Sequence, residues 1–181
     1  MSRPALGLVL LAGLGLLSAC ARIGANEARG LVEHYNQAVC EAYRRGDVRL
    51  IDPVVAPDSV AGRRLTGLIG VRLDLGITLD AHLQELQVVA VESGRDGLQI
   101  RTRERWRYRD LRMGSGEQVG EASEDRYELL YLFRKIDGAW LVTETKFTAP
   151  PQVGRRATPW RMDARDAHAM IGPAPAQEGK K

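Results

Sequence analysis

The sequence predicts an α+β fold, in which N-terminal helices are followed by a meander of four antiparallel strands. Apolar residues recur at helical spacing up to about residue 76, and from residue 79 the pattern changes to the alternation of a strand. The alternation is clearest in IRTRERWRYRDLR, residues 100–112, where every second residue from 101 to 109 is arginine. Helices first and strands afterwards is the element order of an α+β domain.

The N-terminus resembles the signal peptide of a bacterial lipoprotein. Arg3 precedes an apolar run at residues 5–17, which is too short to cross a bilayer. The run ends in LSAC, residues 17–20, which is similar to a lipobox. The resemblance implies cleavage before Cys20 and acylation of that residue, with palmitate among the acyl chains. An ordinary cleaved signal followed by a chance cysteine is the alternative.

This signal predicts a location in the bacterial cell envelope. We expect a lipoprotein signal peptide at residues 1–19 and a lipidated cysteine with a short tether at residues 20–26. Several acyl chains on Cys20 would hold the protein at a membrane surface. The predicted protein faces the periplasm and is attached to the outer membrane rather than the inner one.

Charge and cysteine content argue against a nucleic-acid-binding domain and against a domain held by an intramolecular disulfide. The formal net charge is +3, but Arg3 leaves with the signal and residues 150–181 hold six basic and three acidic residues. Residues 20–149 are therefore close to neutral, unlike a nucleic-acid-binding domain. Once Cys20 is lipidated, Cys40 is the only remaining thiol, so no intramolecular disulfide is expected. Cys40 falls opposite the apolar stripe of its helix, which predicts a partly exposed surface thiol rather than a nucleophile.

Three helical segments are predicted before the sheet. Asn26 can cap a first helix, which runs to about residue 45 and ends at a Gly-Asp pair. A short second helix is expected at residues 48–55. A third starts after residue 58 and ends near residue 76.

The four strands are separated by turn signals. A glycine-rich turn follows the first strand, and Asp137-Gly138 predicts a tight hairpin before the last. The strands are expected at residues 79–92, 98–113, 123–136 and 139–148. Two prolines at 150 and 151 end the predicted domain, which spans residues 27–149. The Pro-, Ala- and Arg-rich tail at residues 150–181 has the composition of a disordered segment.

Two strand sequences resemble the nuclear-transport-factor-two-like superfamily, whose fold is cystatin-like. TRERWRYRD at residues 102–110 and DRYELLYLFRKIDGAWLV at residues 125–142 are nearest to the IMS domain of plastid-division proteins. The matching residues are Glu104, Tyr127, Tyr131, Gly138 and Trp140. The resemblance implies a curved sheet wrapped on a long helix, forming a cone with a side pocket. The superfamily includes small-molecule isomerases, hydrolases and non-catalytic domains that bind peptides or proteins.

One face of the sheet is a candidate pocket wall. Pairing Trp106 with Tyr127, and joining the last strands by a two-residue turn, places aromatic and carboxylate side chains on one side. The candidate pocket residues are Glu104, Trp106, Tyr127, Tyr131, Trp140 and Glu144. A packed core with Glu104 and Lys146 as a polar pair at its rim is the alternative.

The opposite face carries the arginine row, Arg101, Arg103, Arg105, Arg107 and Arg109. Two interpretations are open for it. A solvated outer face, with cross-strand pairs to glutamates of the third strand, would keep the sheet soluble. A contact surface for an anionic membrane or an acidic partner is the functional alternative.

The remaining signals argue against common catalytic sites. His34, His82 and His168 fall on separate elements without ligand spacing, so no metal site is expected. No nucleophile elbow or phosphate-binding loop occurs, and no cofactor is expected. The sequence therefore predicts a membrane-anchored lipoprotein whose domain binds an envelope protein or a small ligand without catalysis. A small-molecule isomerase- or hydrolase-like enzyme using a pocket carboxylate is the alternative.

Overall fold

The computed structural model describes residues 23–94 and 97–154. They form two helices, a 3-10 turn and four strands: α1 Ala25–Arg45, the 3-10 turn Val48–Ile51, α2 Val60–Asp74, β1 Ile77–Gly94, β2 Gly97–Arg112, β3 Gln118–Ile136 and β4 Ala139–Phe147. The strands make one antiparallel sheet in the order β1-β2-β3-β4, with the helices packed against it. The predicted α+β fold is confirmed. The predicted signal peptide, Cys20 and most of the tail lie outside the described residues.

Glycine caps both ends of α1, and serine caps the start of α2. Gly24, not the predicted Asn26, is the N-cap of α1, and no side chain caps this helix. The Ser59 hydroxyl accepts a hydrogen bond from the Gly62 amide, 3.1 Å away, at the start of α2. Gly46 ends α1 with a φ of 65°, in the left-handed region that favours glycine. Among the residues described, no helix is long and apolar enough to cross a bilayer.

The register of β2 on β3 differs from the predicted one by two residues. Tyr127 lies opposite Glu104, and Trp106 lies opposite Asp125. A two-residue shift keeps every side chain on its predicted face, because the strand period is two. A bulge between Tyr108 and Asp110 adjusts the pairing before the strands separate.

A bulge between β3 and β4 changes which side chains face the helices. Phe133 pairs with Val142, but the preceding residue of β3, Leu132, pairs with Glu144, so Thr143 has no partner of its own. The extra residue turns the rest of β4 over, so Glu144 lies on the outer face. There its carboxylate pairs with the Lys146 ammonium at 3.0 Å.

Pairing continues past the predicted domain end at residue 149. The Arg126 amide donates to the Gln152 carbonyl at 2.9 Å, and the Gln152 amide donates to the Arg126 carbonyl at 3.0 Å. The Gly154 amide then donates to the buried Asp125 carboxylate at 3.0 Å. Residues 152–154 therefore cover part of the β3 edge that the shorter β4 leaves unpaired.

Candidate functional site

A cavity of about 420 Å³ lies between the two helices and the inner face of the sheet. This volume is within the range of small-molecule sites. All five tyrosines of the chain line the cavity, together with Trp106 and Phe147. The tyrosines are Tyr35, Tyr43, Tyr108, Tyr127 and Tyr131. Aliphatic side chains from both helices and from the strands complete the wall, among them Val39, Leu65, Leu68, Ile77, Leu79 and Leu129.

Two simple periodicities bring these side chains together. On α1 the cavity residues are two adjacent pairs and a single residue, repeating every three or four positions, which places them on one helical face. They are Tyr35, Asn36, Val39, Cys40 and Tyr43. On β3 they alternate, as Tyr127, Leu129 and Tyr131 do. The two faces meet because α1 packs across the sheet.

Glu104 forms the polar base of the cavity and is only 4% exposed. Its Oε1 accepts hydrogen bonds from the Thr102 hydroxyl at 2.8 Å and the Tyr131 hydroxyl at 2.7 Å. Its Oε2 accepts one from the Trp106 indole N–H at 2.7 Å. Neutral donors on three sides therefore hold this carboxylate in place.

Burial controls the ionisation of the groups at this base. Desolvation raises the pKa of Glu104 above its usual value, although the hydrogen bonds from Tyr131, Trp106 and Thr102 oppose the shift. Desolvation likewise raises the pKa of Tyr131 well above 10, and the neighbouring Glu104 carboxylate adds to the rise. The Tyr131 hydroxyl is consequently a hydrogen-bond donor throughout the physiological pH range.

Asn36 is the other buried polar residue at the base, and it is 5% exposed. Its Oδ1 lies 3.3 Å from the Tyr131 hydroxyl, whose single proton points to Glu104 over the shorter distance. Its Nδ2 has no hydrogen-bond partner. The Asn36 side chain nevertheless acts on the Glu104 carboxylate as a hydrogen-bond donor and helps to lower its pKa.

Charged side chains stand at the rim. The Arg72 guanidinium pairs with the Asp110 carboxylate at 2.6 Å and ties α2 to β2. The Arg64 guanidinium donates to the Thr145 carbonyl at 3.0 Å. Phe147 is 57% exposed, and its ring contacts Tyr127 at a centroid distance of 5.5 Å. The cavity thus has an aromatic and cationic rim above an acidic base.

Cys40 is partly exposed, as predicted, but it lies in the cavity wall, so its predicted position opposite the apolar face of α1 is wrong. It is partly buried and packs with Leu79, Ala81 and Trp106. Desolvation raises the pKa of its thiol to about 11. Because the thiolate is the reactive form, this cysteine is unreactive at neutral pH.

The structure brings four of the six candidate pocket residues to the cavity. They are Glu104, Trp106, Tyr127 and Tyr131. Trp140 lies at the start of β4, outside the cavity, where its ring centroid is 5.9 Å from the Lys135 ammonium. Glu144 is on the outer face because of the β3–β4 bulge. The α1 contribution was missed, and the helical spacing of Tyr35, Asn36 and Tyr43 was the signal for it.

Three members of the arginine row form ion pairs on the outer face. Arg103 Nε lies 3.0 Å from a Glu128 oxygen, and Arg105 lies 2.6 Å from Glu85. Arg109 Nε donates to the buried Asp80 carboxylate at 3.0 Å. The remaining two, Arg101 and Arg107, are exposed and have no ion pair within the described part of the chain. Arg103 thus pairs with a glutamate of β3, as the interpretation of a solvated face expects, whereas Arg105 and Arg109 pair with acidic residues of β1.

The residues described contain no group of His, Cys, Asp and Glu side chains arranged to hold a metal ion. His82 instead lies 3.0 Å from Asp80. Burial favours a raised pKa for Asp80, but the hydrogen bonds from Arg109 and His82 outweigh it and lower that pKa. Arg44 of α1 lies 3.6 Å from the same carboxylate, so this cluster joins α1 to the outer side of β1.

Comparison with known proteins identifies the fold. No family model and no curated protein matches the chain. Among solved structures it is similar to the intermembrane space region of the chloroplast protein ARC6, with 16% identity and a TM-score of 0.61. That match covers 71% of this chain and 98% of the other. The chain has the nuclear-transport-factor-two-like fold. The resemblance predicted from the strand sequences is confirmed for this fold.

Two other solved structures with this nuclear-transport-factor-two-like, or cystatin-like, fold are more distant. A protein of unknown function from Nostoc punctiforme has 12% identity and a TM-score of 0.42, covering 71% of this chain and 98% of the other. A nuclear-transport-factor-two-like protein of unknown function from Shewanella oneidensis has 14% identity and a TM-score of 0.40, with 66% and 98% coverage.

Proposed function

We propose that the protein is a lipid-anchored binding protein of the bacterial envelope, whose domain holds a small apolar ligand without catalysis. One observation carries the proposal: all five tyrosines of the chain line one cavity of about 420 Å³. Aromatic and aliphatic walls with few polar groups are typical of small-molecule sites. The LSAC motif at residues 17–20 supports attachment through Cys20 and a periplasm-facing location.

The distribution of apolar surface favours a small ligand over a protein partner. The large apolar side chains that are exposed among the described residues are spread along the chain: Val60, Leu75, Val89, Met113, Phe147 and Val153. Of these, Leu75 and Met113 come close together, because the Met113 amide donates to the Gly76 carbonyl at 2.9 Å. Exposed apolar residues in such small numbers are ordinary on protein surfaces. Aromatic side chains are instead gathered in the wall of the cavity, which is concave.

The hydrogen bonds of Glu104 favour binding without catalysis. A general base must reach the proton that it removes. Oε1 of Glu104 accepts from Thr102 and Tyr131, and Oε2 accepts from Trp106, so three of about four acceptor positions of the carboxylate are occupied. Its carboxylate is therefore engaged in holding the cavity wall together.

The raised pKa of Glu104 supports an enzymatic alternative. A carboxylate at the base of a cavity, with a pKa shifted toward neutrality by burial, has a property of catalytic bases. Such an enzyme would accelerate deuterium incorporation next to the carbonyl of 2-acetylnaphthalene in D₂O, and Glu104→Gln would abolish the acceleration. Binding without catalysis predicts that deuterium is incorporated at the uncatalysed rate with wild type and with Glu104→Gln alike.

Binding is tested with a neutral fluorescent probe. N-phenyl-1-naphthylamine, titrated into the purified full chain, should brighten saturably as it enters the cavity. Leu129→Trp fills the cavity wall and should abolish the increase, whereas Leu130→Trp, one residue along β3, should leave it unchanged. Equal brightening with wild type and Leu129→Trp would place the probe elsewhere and contradict the proposal.

A further inference from the structure

We infer that the ligand of the cavity carries a methylated ammonium group, which the Glu104 carboxylate and the aromatic walls recognise together. This inference rests on the proposed binding function and adds the chemical class of the ligand. Its basis is a buried carboxylate that forms no ion pair, at the base of a cavity lined by tyrosine rings. A methylated ammonium is a cation whose surface consists of methyl groups, so it also suits apolar walls.

The hydrogen bonds of Glu104 are those of an ionised carboxylate. The Trp106 indole N–H, which can only donate, donates to Oε2, and the hydroxyls of Thr102 and Tyr131 donate to Oε1. Asn36 acts as a further donor. Each of these neighbours donates to the carboxylate, which favours the negatively charged form.

This negative charge has no cationic partner within the described part of the chain. Buried carboxylates are ordinarily paired with a cation or bound to a metal ion. Two arginines line the cavity, but Arg72 pairs with the Asp110 carboxylate at 2.6 Å and Arg64 donates to the Thr145 carbonyl at 3.0 Å. Desolvation accordingly raises the pKa of Glu104. A cation that enters the cavity would supply the counter-charge.

The rim arginines leave such a cation a way in. Arg64 is exposed, so solvent and salt screen its charge, and the charge of Arg72 is balanced by Asp110. At the base, by contrast, Glu104 is only 4% exposed, and its charge acts at low dielectric. The attraction at the base therefore outweighs the repulsion at the rim.

The aromatic rings supply a second attraction for a cation. Tyr35 and Tyr131 meet edge to face at the base, with ring centroids 5.6 Å apart and ring planes at 77°. The rings of Trp106 and Tyr108 are nearly parallel, with centroids 5.8 Å apart. Rings in different orientations thus line one cavity, as in the aromatic cages that bind methylated ammonium groups. Because the face of an aromatic ring is electronegative, it attracts a cation more strongly than an uncharged group of the same shape.

The hydrogen bonds at the base favour a cation without N–H groups. A primary ammonium brings three donors, whereas Glu104 has about four acceptor positions and already accepts from four side chains. A methylated ammonium needs no acceptor, and its methyl groups can pack on aliphatic walls such as Leu65 and Leu129. An anionic group would be repelled by Glu104.

Three matched probes test the inference on the purified full chain. Displacement of N-phenyl-1-naphthylamine gives the affinities of benzyltrimethylammonium, which is a cation, neopentylbenzene, in which carbon replaces the nitrogen, and phenylmethanesulfonate, which is an anion. We expect the cation to bind at least about tenfold more tightly than its neutral isostere, because the rings and Glu104 both attract its charge. The anion should bind most weakly of the three.

Glu104→Gln is the decisive variant, because it removes the buried charge and keeps the shape of the side chain. Its preference for the cation over neopentylbenzene should be at least about fivefold smaller than that of wild type. Glu144→Gln removes the same charge from the outer face and should keep the wild-type preference. If Glu104→Gln does not fold, the wild-type preference for the cation decides alone.

The outcomes separate the ligand class from the binding function. Saturable dye binding shows that the cavity is occupied. With the dye bound, the ligand class would be overturned by a failure of all three probes to displace it, by affinities for cation and isostere within about threefold of each other, or by tighter binding of the sulfonate. A cation preference that is unchanged in Glu104→Gln would overturn it as well. Failure of the dye and of all three probes to bind would overturn both the ligand class and the binding function.

Discussion

At the scale of single residues, the cavity depends on Glu104. Its carboxylate joins two neighbours on β2, Thr102 and Trp106, to Tyr131 on β3. Hydrogen bonds to an ionised acceptor are stronger than neutral ones. The same side chain is thus part of the cavity wall and part of the core beneath it.

Replacing Glu104 should therefore lower stability. In Glu104→Gln an amide nitrogen replaces one carboxylate oxygen and faces a donor instead of accepting from it. We expect the free energy of unfolding in urea to fall by about 1–3 kcal/mol. Glu144→Gln, on the outer face, is the matched control and should change it by less than about 0.5 kcal/mol. A Glu104 variant as stable as wild type would mean that these hydrogen bonds contribute nothing.

The pKa of Glu104 makes a separate prediction about pH. Because its folded-state pKa is raised above 4.5, the folded protein binds the proton more tightly than the unfolded chain. The stability that this gives is present below pH 4.5 and is lost as pH rises through the folded-state pKa. Unfolding free energies measured from pH 4 to pH 8 should therefore fall less steeply with rising pH in Glu104→Gln than in wild type. Parallel pH curves for the two proteins would contradict a raised pKa for Glu104 in the folded state.

At the scale of elements, residues 152–154 are held by contacts that require a glycine. A Cβ on Gly154 would lie 2.5 Å from the Glu124 carbonyl oxygen and 2.9 Å from its amide nitrogen. Both of these Glu124 atoms belong to the backbone of β3, so neither can shift without moving the strand. The segment can pair with the β3 edge only while position 154 lacks a side chain.

Gly154→Ala should release this segment from the sheet. We expect the Arg126 amide, which donates to the Gln152 carbonyl, to exchange with deuterium at least about tenfold faster. Gly30→Ala on the exposed face of α1, where a Cβ meets nothing within 4 Å, is the control and should stabilise the helix by about 0.5–1 kcal/mol. Unchanged exchange at Arg126 in the Gly154 variant would contradict this account.

The elements also show how far the sequence determines the fold and the site. Alternation predicts the four strands and which face of β2 carries Glu104 and Trp106, because a strand has a fixed period of two. The β3–β4 bulge inserts one residue without a pattern of its own, so Glu144 was assigned to the wrong face. The sequence places the α1 residues on one apolar face of the helix. It does not say whether that face packs in the core or lines a pocket, because this depends on tertiary packing.

At the scale of the whole molecule, a short segment separates the predicted anchor from the folded domain. Cys20 precedes the start of α1 at Ala25 by five residues. An anchored domain of this kind would stay close to the membrane surface. Apolar compounds partition into membranes, so the cavity would be well placed to receive them.

The anchor is tested by one substitution. Cys20→Ser should abolish incorporation of labelled palmitate in cells and release the protein from the membrane fraction. Cys40→Ser removes the other thiol, which lies in the cavity wall, and should leave labelling and retention unchanged. Labelled acyl chains on the Cys20 variant would show that the lipoprotein assignment is wrong.

Ligand entry into the cavity is tested most directly by the tyrosines themselves. Because all five line the cavity, tyrosine-selective ¹³C labelling places an NMR probe on each side of a bound ligand and on no other surface. On saturating the full chain with 2-acetylnaphthalene, we predict that the ring resonances of all five tyrosines shift. The indole N–H proton resonance of Trp140, outside the cavity and read from the proton spectrum of the same sample, should stay in place. Unshifted tyrosine resonances at saturation would contradict the account.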